Sequence, residues 1–236
     1  MEFYEFLVFI KDFIVAMAAI FGTFIAKKGL DTWRRQLKGQ SEYELSRRIL
    51  VTLFKYRDAI NSVRNPLFYG FEISYPTESE SKSMTPDEID FYGVSKAYQA
   101  RWDKVYDEKK ILYVDLLESE AIWGGRLKDI FKNIYDLENE LRLTFTLYLN
   151  SINPKTEIKD KELYSSYLKS SKNIMYEFPG NNHDEFKKNM TSAIDTVEVY
   201  LKPKLTHEEE NYSVVKFCKK VWVDVSKRLM FNNSIK

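Results

Sequence analysis

The residue types best suited to metal and thiol chemistry are few in this chain of 236 residues. It contains one cysteine, Cys218, and two histidines, His183 and His207. Structural zinc is usually held by four cysteine or histidine ligands, so this chain has too few for a dedicated zinc site. A single cysteine also excludes an intramolecular disulfide and fits a reducing compartment. We therefore expect no bound metal and no cofactor.

Closely spaced carboxylates are the next candidates, because paired acids can act as general acid and base. The pairs Glu118/Glu120 and Glu138/Glu140 are two residues apart, and residues at that spacing point to different sides of a helix. We expect them to be solvated. The chain also lacks a glycine-rich phosphate loop, a Gly-x-Ser-x-Gly turn and a His-Glu-x-x-His pair. These absences predict a protein that is not an enzyme; a membrane-tethered enzyme would need a pocket with convergent polar groups.

The charge of the chain is unevenly distributed, although the net charge is only +1. Residues 1–26 carry one base and three acids, residues 27–64 carry ten bases and four acids, and the rest carries 25 bases and 28 acids. The positive charge is therefore local and follows the most apolar part of the chain. Such a patch fits anionic phospholipid headgroups, whereas binding to nucleic acid is not expected.

The run from Phe6 to Ala26 is interrupted only by Lys11 and Asp12 and matches the roughly 20 residues that cross a bilayer as a helix. A cleaved signal peptide is the rival interpretation, but such segments begin with basic residues, whereas this one begins with Glu2 and Glu5. The basic residues that follow predict, by the positive-inside rule, an N-terminus outside and the remainder in the cytoplasm. We expect a bacterial inner-membrane protein with a single span.

At 100° per residue the apolar segment separates into a bulky arc, which includes Phe13, Met17 and Ile20, and a small-residue arc. Small residues at four-residue spacing let helices approach closely in lipid, and the intramembrane charges lie on this arc. The residues expected to mediate self-association are Asp12, Ala16, Ala18, Ala19, Gly22, Thr23 and Ala26.

Three interpretations of the charged pair stay open. Lys11 and Asp12 can mark the outer end of a shorter span, with Asp12 paired locally and Lys11 reaching the interface. They can instead face the interior of an oligomer, in which Glu5 and Asp12 would line a path that attracts cations. The segment can also be a buried helix of a soluble domain or partner, with no span at all.

A basic, tryptophan-bearing segment, KKGLDTWRRQLKGQ, follows the apolar run at residues 27–40. Leu30, Trp33 and Leu37 fall on one helical face, and Gly29 and Gly39 are expected to break the helix on either side. The residues expected to contact lipid headgroups are Lys27, Lys28, Trp33, Arg34, Arg35 and Lys38. Salt bridges from these side chains to the cytoplasmic domain are the structural alternative.

The remaining residues, 41–236, predict a cytoplasmic bundle of long antiparallel helices. A capping box at Ser41 and Glu44 predicts a helix to Asn65–Pro66, followed by a loop over 67–85. Thr85, Pro86 and Glu88 predict the start of a helix that ends near Trp123, before a break at Gly124–Gly125. Further helices are expected up to Asn153, over about 160–177, over 184–201 before Pro203, and from Thr206 onward, where Cys218 would be a buried thiol.

Three blocks, GLDTWRRQLKGQSEYELSRRILVTLFKYRDAINSVRNP from Gly29, ARWDKV from Ala100 and LESEAIWG from Leu117, resemble a recurrent bacterial family of membrane-anchored proteins. The resemblance covers about the first two thirds of the chain and implies an architecture and a bacterial source, but no activity. Its motif includes Arg57, Asp58, Arg64 and Asn65 as polar members and Trp102 and Trp123 as aromatic ones. We expect a salt bridge and packing anchors, with ligand binding as the alternative.

Together these patterns predict an all-α protein with three parts: a transmembrane helix at 1–26, a basic juxtamembrane segment at 27–40 and a cytoplasmic helical domain at 41–236. The expected function is that of a membrane-tethered interaction or sensor protein that associates with itself and docks an unknown protein partner. The alternative is an oligomeric pore or a membrane-perturbing effector.

Overall fold

The computed structural model of the chain describes residues 2–178 and 184–205. Within these residues it contains α-helices and no β-strand, which confirms the predicted all-α class. The described helices are α1 (Glu2–Val63), α2 (Glu78–Ser81), α3 (Pro86–Trp123), α4 (Arg126–Ile152), α5 (Ile158–Ser170) and α6 (Glu185–Leu205). The described chain divides into two compact units: an N-terminal unit, which holds α1 as far as Glu44 and the end of α6 from Lys204, and a helical unit, Leu45–Pro203.

Helix α1 is continuous over 62 residues, so the predicted breaks at Gly29 and Gly39 and the predicted helix start at Ser41 are wrong. A capping box is useful only where the chain before it is not helical. Here the preceding residues include many Lys, Arg, Gln and Leu, which favour helix. Extending an existing helix by one residue costs less than nucleating a new one, and this outweighs about 1 kcal/mol for each glycine.

Helix α3 begins and ends where the sequence predicts. The Thr85 backbone N–H donates to the Glu88 carboxylate over 2.7 Å, and the Glu88 N–H donates back to the Thr85 hydroxyl over 3.3 Å. Pro86 occupies the first turn. Gly124 ends the helix at φ +78°, a conformation that side chains other than glycine's rarely adopt. The predicted break between two long helices is thus confirmed, and α4 ends before Asn153 as expected.

Two later helix boundaries differ from the prediction. Helix α5 ends at Ser170 instead of near residue 177. Beyond Ser170 the chain is non-helical as far as Phe178, and the carbonyls of Ile174 and Tyr176 accept hydrogen bonds from the side chain of Arg64. Helix α6 continues through Pro203 to Leu205. A proline removes one backbone donor, but within the described residues it does not end this helix.

The core of the helical unit is built around the apolar stripe of α1, as its 3–4 residue spacing predicts. Six residues of this stripe are completely buried: Leu45, Ile49, Leu53, Tyr56, Ile60 and Val63. Large aromatic rings from α3 and α4 pack beside them, with Tyr98 and Trp102 at 4.7 and 6.2 Å from the Phe145 ring. Trp102 is therefore the packing anchor that we expected, and Trp123 packs against the same core.

Several predictions fall on residues that the structure does not describe. They are the final helix from Thr206, the burial of Cys218, the positions of His183 and His207, and the side chain of Glu5.

Candidate functional site

The bulky side chains in the apolar part of α1 are exposed. Among residues 2–178 and 184–205, one helix is long and apolar enough to cross a membrane, and none of its apolar window is buried within the protein. Phe9, Ile14 and Ile20 are 69%, 60% and 64% exposed. Helices of this length and composition also occur as signal sequences and as core helices of soluble proteins, but core helices are mostly buried.

The small-residue arc is equally accessible. Its members, Ala16, Ala18, Ala19, Gly22, Thr23 and Ala26, are all exposed along α1. No atom lies within 4 Å of the position that a Cβ on Gly22 would occupy. The Thr23 hydroxyl donates to the Ala19 carbonyl over 2.8 Å, so it has a partner within its own helix. A neighbouring helix could therefore approach this arc closely without leaving that hydroxyl unpaired.

The two charges within the apolar segment lie side by side. Lys11 Nζ is 3.3 Å from Asp12 Oδ1, and both side chains are about two-thirds exposed, at 69% and 67%. Asp12 thus has a local partner of opposite charge, which is the arrangement that the shorter-span interpretation requires.

The six residues of the predicted lipid-headgroup contact, Lys27, Lys28, Trp33, Arg34, Arg35 and Lys38, are exposed on α1. Where the structure gives them a partner, it lies on α1 within four residues: Lys28 is 5.0 Å above the Phe24 ring, and Lys38 is 3.9 Å from Glu42. Trp33 is 56% exposed. A basic surface with an exposed tryptophan has the composition of a helix segment at headgroup depth.

The four polar residues that the sequence resemblance singled out, Arg57, Asp58, Arg64 and Asn65, do not form one site. Arg57 and Asp58 form an exposed pair, with Nη2 and Oδ1 2.9 Å apart. Arg64 is completely buried and donates to the Ile174 carbonyl and to the Asp184 carboxylate, over 2.8 Å each. Its guanidinium also lies 4.5 Å above the Phe186 ring.

The fourth motif residue, Asn65, shapes the loop after α1. Its side-chain oxygen accepts a hydrogen bond from the Leu67 N–H over 3.0 Å. Its backbone carbonyl accepts one from Arg101 over 2.6 Å. Arg64 and Asn65 therefore hold the connections between helices, whereas Arg57 pairs with its own neighbour on α1. The structural role of the four residues stays a prediction.

Arg101 organises a polar cluster that the sequence did not predict. It is 1% exposed and pairs with both carboxylate oxygens of Glu72, over 2.8 Å each. It also donates to the carbonyls of Asn65 and Leu67 over 2.6 Å each. The hydrogen bonds from Arg101 are the main reason that the pKa of Glu72 falls to about 2. Glu72 lies 29 residues away in the sequence, so no local pattern could pair the two.

Glu138 is the centre of a second buried cluster, and our expectation that it is solvated is wrong. It is 1% exposed and accepts a hydrogen bond from the Tyr56 hydroxyl over 2.6 Å and another from Lys109. Burial and the adjacent Glu138 charge raise the pKa of Tyr56 well above its usual value. The cluster joins α1, α3 and α4. The carboxylate can be buried because Tyr56 of α1 and Lys109 of α3 satisfy it with hydrogen bonds.

An open polar groove lies within the helical unit, between α4 and α6, with a volume of about 350 Å³. It is lined by Asn133, Asp136, Leu137, Glu140, Asn189, Ser192, Ala193 and Thr196. Its polar side chains are amides, hydroxyls and two carboxylates, and it contains no histidine, cysteine or lysine. In the described ranges no group of three or more His, Cys, Asp and Glu side chains is placed to hold a metal ion.

Comparison with known proteins gives no relative from which a function could be transferred. No family model, no curated protein and no solved structure matches this chain.

Proposed function

We propose that this chain is a membrane-tethered helical interaction or sensor protein: α1 crosses the bilayer once, and the helical unit docks a protein partner in the cytoplasm. The observation that carries the proposal is that none of the residues in the apolar window of α1 is buried within the protein. Exposing so many bulky side chains to water is unfavourable at about 25 cal/mol per Å², whereas lipid accepts them.

The charges that follow the apolar segment support a topology with the N-terminus outside and the helical unit in the cytoplasm. Residues 27–40 carry five bases and one acid. Basic residues next to a span stay on the cytoplasmic side, where each adds about 1 kcal/mol of attraction to anionic lipid. Together with the resemblance to a bacterial family, this supports a location in a bacterial inner membrane.

An antiparallel bundle is the arrangement that we propose for α1, α3 and α4, and their contacts support it. Arg48 of α1 pairs with Asp115 of α3, and Tyr56 of α1 shares Glu138 with Lys109 of α3. Residue numbers therefore increase along α1 in the direction in which they decrease along α3. The same reversal relates α3 to α4, where Lys109 contacts Glu138 and Trp102 contacts Phe145. Bundles with short connections commonly have this topology.

Self-association through the small-residue arc is part of the proposal. The arc is accessible, and van der Waals packing between small residues drives helix association in lipid. A pore lined by Asp12 is the alternative. The close pair that Asp12 forms with Lys11 favours the tether, because the pair carries no net charge to line a cation path. We propose no enzymatic activity.

Membrane fractionation with an alkaline carbonate wash tests the proposal. The full chain should stay in the membrane pellet, whereas a chain that begins at Ser41 should be released. Release of the full chain by the wash would rule out the span and with it the pore.

The variant Asp12→Ala separates the tether from the pore. The tether predicts unchanged membrane localisation and unchanged growth on overexpression. Loss of an ion leak or of growth arrest in this variant would favour the pore instead.

A further inference from the structure

The loop that follows α1 carries four exposed apolar side chains on a short stretch of backbone. Leu67, Tyr69, Phe71 and Tyr75, which we call the aromatic turn, are 71%, 58%, 84% and 71% exposed. The rings of Tyr69 and Phe71 stack with their centroids 5.5 Å apart and their planes only 5° from parallel. Aromatic groups clustered in this way on a protein surface commonly mark an interaction site.

The backbone beneath these rings is held by buried groups. Arg101 binds the carbonyl of Leu67 and the carboxylate of Glu72, which bracket Tyr69 and Phe71. The Tyr69 N–H donates to Glu72 Oε2, and the Glu72 N–H donates to the Tyr69 carbonyl, over 2.9 Å each. The exposed rings are therefore displayed on an ordered turn.

Phe68 shows the contrast with its exposed neighbours. It points inward, where its ring lies 4.5 Å from the Arg101 guanidinium and 4.9 Å from the Tyr98 ring. The buried Arg101 and the inward ring of Phe68 hold the backbone from which the outward rings project. Preorganising the outward rings in this way lowers the entropic cost of binding.

The net charge of the segment that contains the aromatic turn indicates which kind of partner it favours. Residues 65–95 contain six acids and one base. Glu72 is neutralised by Arg101, and Glu88 is engaged with Thr85 and Lys155. Four further acids in this stretch have exposed side chains: Glu78, Glu80, Asp87 and Asp90. Such a surface attracts a cationic partner, and exposed Tyr and Phe rings bind guanidinium and ammonium groups through cation–π contacts.

We propose that the aromatic turn is the docking surface of the helical unit and that its partner is a basic protein segment bearing arginine and aliphatic side chains. The proposal rests on the partner-docking role given above but is independent of membrane anchoring. The net negative charge of residues 65–95 disfavours an anionic lipid surface as the partner.

A peptide titration tests the proposal on the full chain, reconstituted in discs of neutral phosphatidylcholine. The probe is a fluorescent peptide of alternating arginine and leucine, and its binding is followed by anisotropy with empty discs as the blank. Phe71→Ser should weaken binding at least about tenfold, the size expected of a hot-spot aromatic. Glu78→Gln should weaken it by a smaller factor and reduce its dependence on salt.

Leu143→Ser is the matched control, because Leu143 is also an exposed apolar residue of the helical unit, at 53%. It should change the affinity less than about twofold. Circular dichroism verifies that all three variants keep the helical content of the parent chain. The carbonate wash reports separately on anchoring, so a failed membrane model and a failed docking model give different results.

Three results would overturn the proposal. The first is the absence of peptide binding, and the second is equal binding of a peptide in which glutamate replaces arginine. The third is that Phe71→Ser still binds the peptide but no longer binds phosphatidylglycerol vesicles.

Discussion

The Tyr56 hydroxyl is one of two partners of a carboxylate that is almost completely buried. Replacing Tyr56 with Phe would leave Glu138 with Lys109 as its remaining described partner. A buried polar group that loses a partner costs about 1–3 kcal/mol, so Tyr56→Phe should lower the free energy of unfolding by that amount. Urea unfolding followed by circular dichroism measures the change.

Tyr98→Phe provides the comparison within the same core. Its hydroxyl lies 3.4 Å from the Tyr176 hydroxyl, which is a long contact between neutral groups. Its loss should cost less than about 1 kcal/mol. If the two variants lose the same stability, the Glu138 cluster has no special energetic role.

The Glu72–Arg101 pair makes stability depend on pH. The pKa of Glu72 is about 2 in the folded chain against 4.5 for the free group. Because the folded pKa is depressed, the contribution is fully present above pH 4.5 and is lost as the pH falls through about 2. The Glu72–Arg101 pair contributes about 1–2 kcal/mol to the free energy of unfolding, because solvent near the surface screens the two charges.

The variant Glu72→Gln isolates this contribution. It should be less stable than the parent chain at neutral pH, and the difference in unfolding free energy should shrink as the pH falls from about 4.5 toward 2. A difference that stays constant over this range would mean that the pair contributes nothing through its ionisation.

At the scale of the elements, Gly93 lies where α3 packs closely against the loop after α1. A Cβ at this position would lie 3.0 Å from Cγ2 of Ile73 and 3.6 Å from the Ser74 carbonyl oxygen. Gly93→Ala should therefore destabilise the helical unit by about 1 kcal/mol, despite the better helix propensity of alanine. Thermal unfolding of the full chain measures the effect.

Gly125 is the matched site, because a Cβ there would have its nearest neighbour at 3.9 Å. Gly125 is the N-cap of α4, where alanine is less favourable than glycine, so Gly125→Ala should cost only about 0.5 kcal/mol and cause no clash. A stabilising effect of Gly93→Ala would show that the loop can move away from α3 without cost.

At this scale, much of the helical architecture could be predicted because its signals are local. Thr85, Pro86 and Glu88 act within one turn of each other, and Gly124 ends α3 through its own backbone freedom. The start predicted at Ser41 failed for the complementary reason. A capping box marks a helix start only if the preceding residues are not helical, and continuity with the apolar segment makes them so.

At the scale of the whole molecule, the proposed self-association makes a prediction about the small-residue arc. Gly22→Leu with Ala18→Leu places bulky side chains where close helix approach is required. The dissociation constant of the oligomer should rise at least about tenfold, as measured by energy transfer between labelled chains in detergent.

Ile20→Leu, on the bulky arc, is the control and should leave the association unchanged. Equal effects of the two changes would show that the arc does not specify the contact, and unchanged association in both would place the interface elsewhere.

The candidate site could be predicted only in part. The apolar run, the small-residue arc and the basic segment follow from composition and helical periodicity, and the structure places them on one helix. The membrane, the partner and the oligomer stay predictions. Arg101, Glu72 and Glu138 were missed as a group, because their sequence neighbours give no sign of the distant residues that neutralise them.

The sequence by itself determined the all-α class, the ends of α3, the apolar stripe of α1 and the location of the positive charge. These depend on contacts between residues within a few positions of each other or on the periodic burial of one helix face. Only the tertiary structure decided which charges are buried and which apolar rings stay outside. A carboxylate or guanidinium is tolerated in the core only where groups from distant elements satisfy it, and that pairing exists only once the chain has folded.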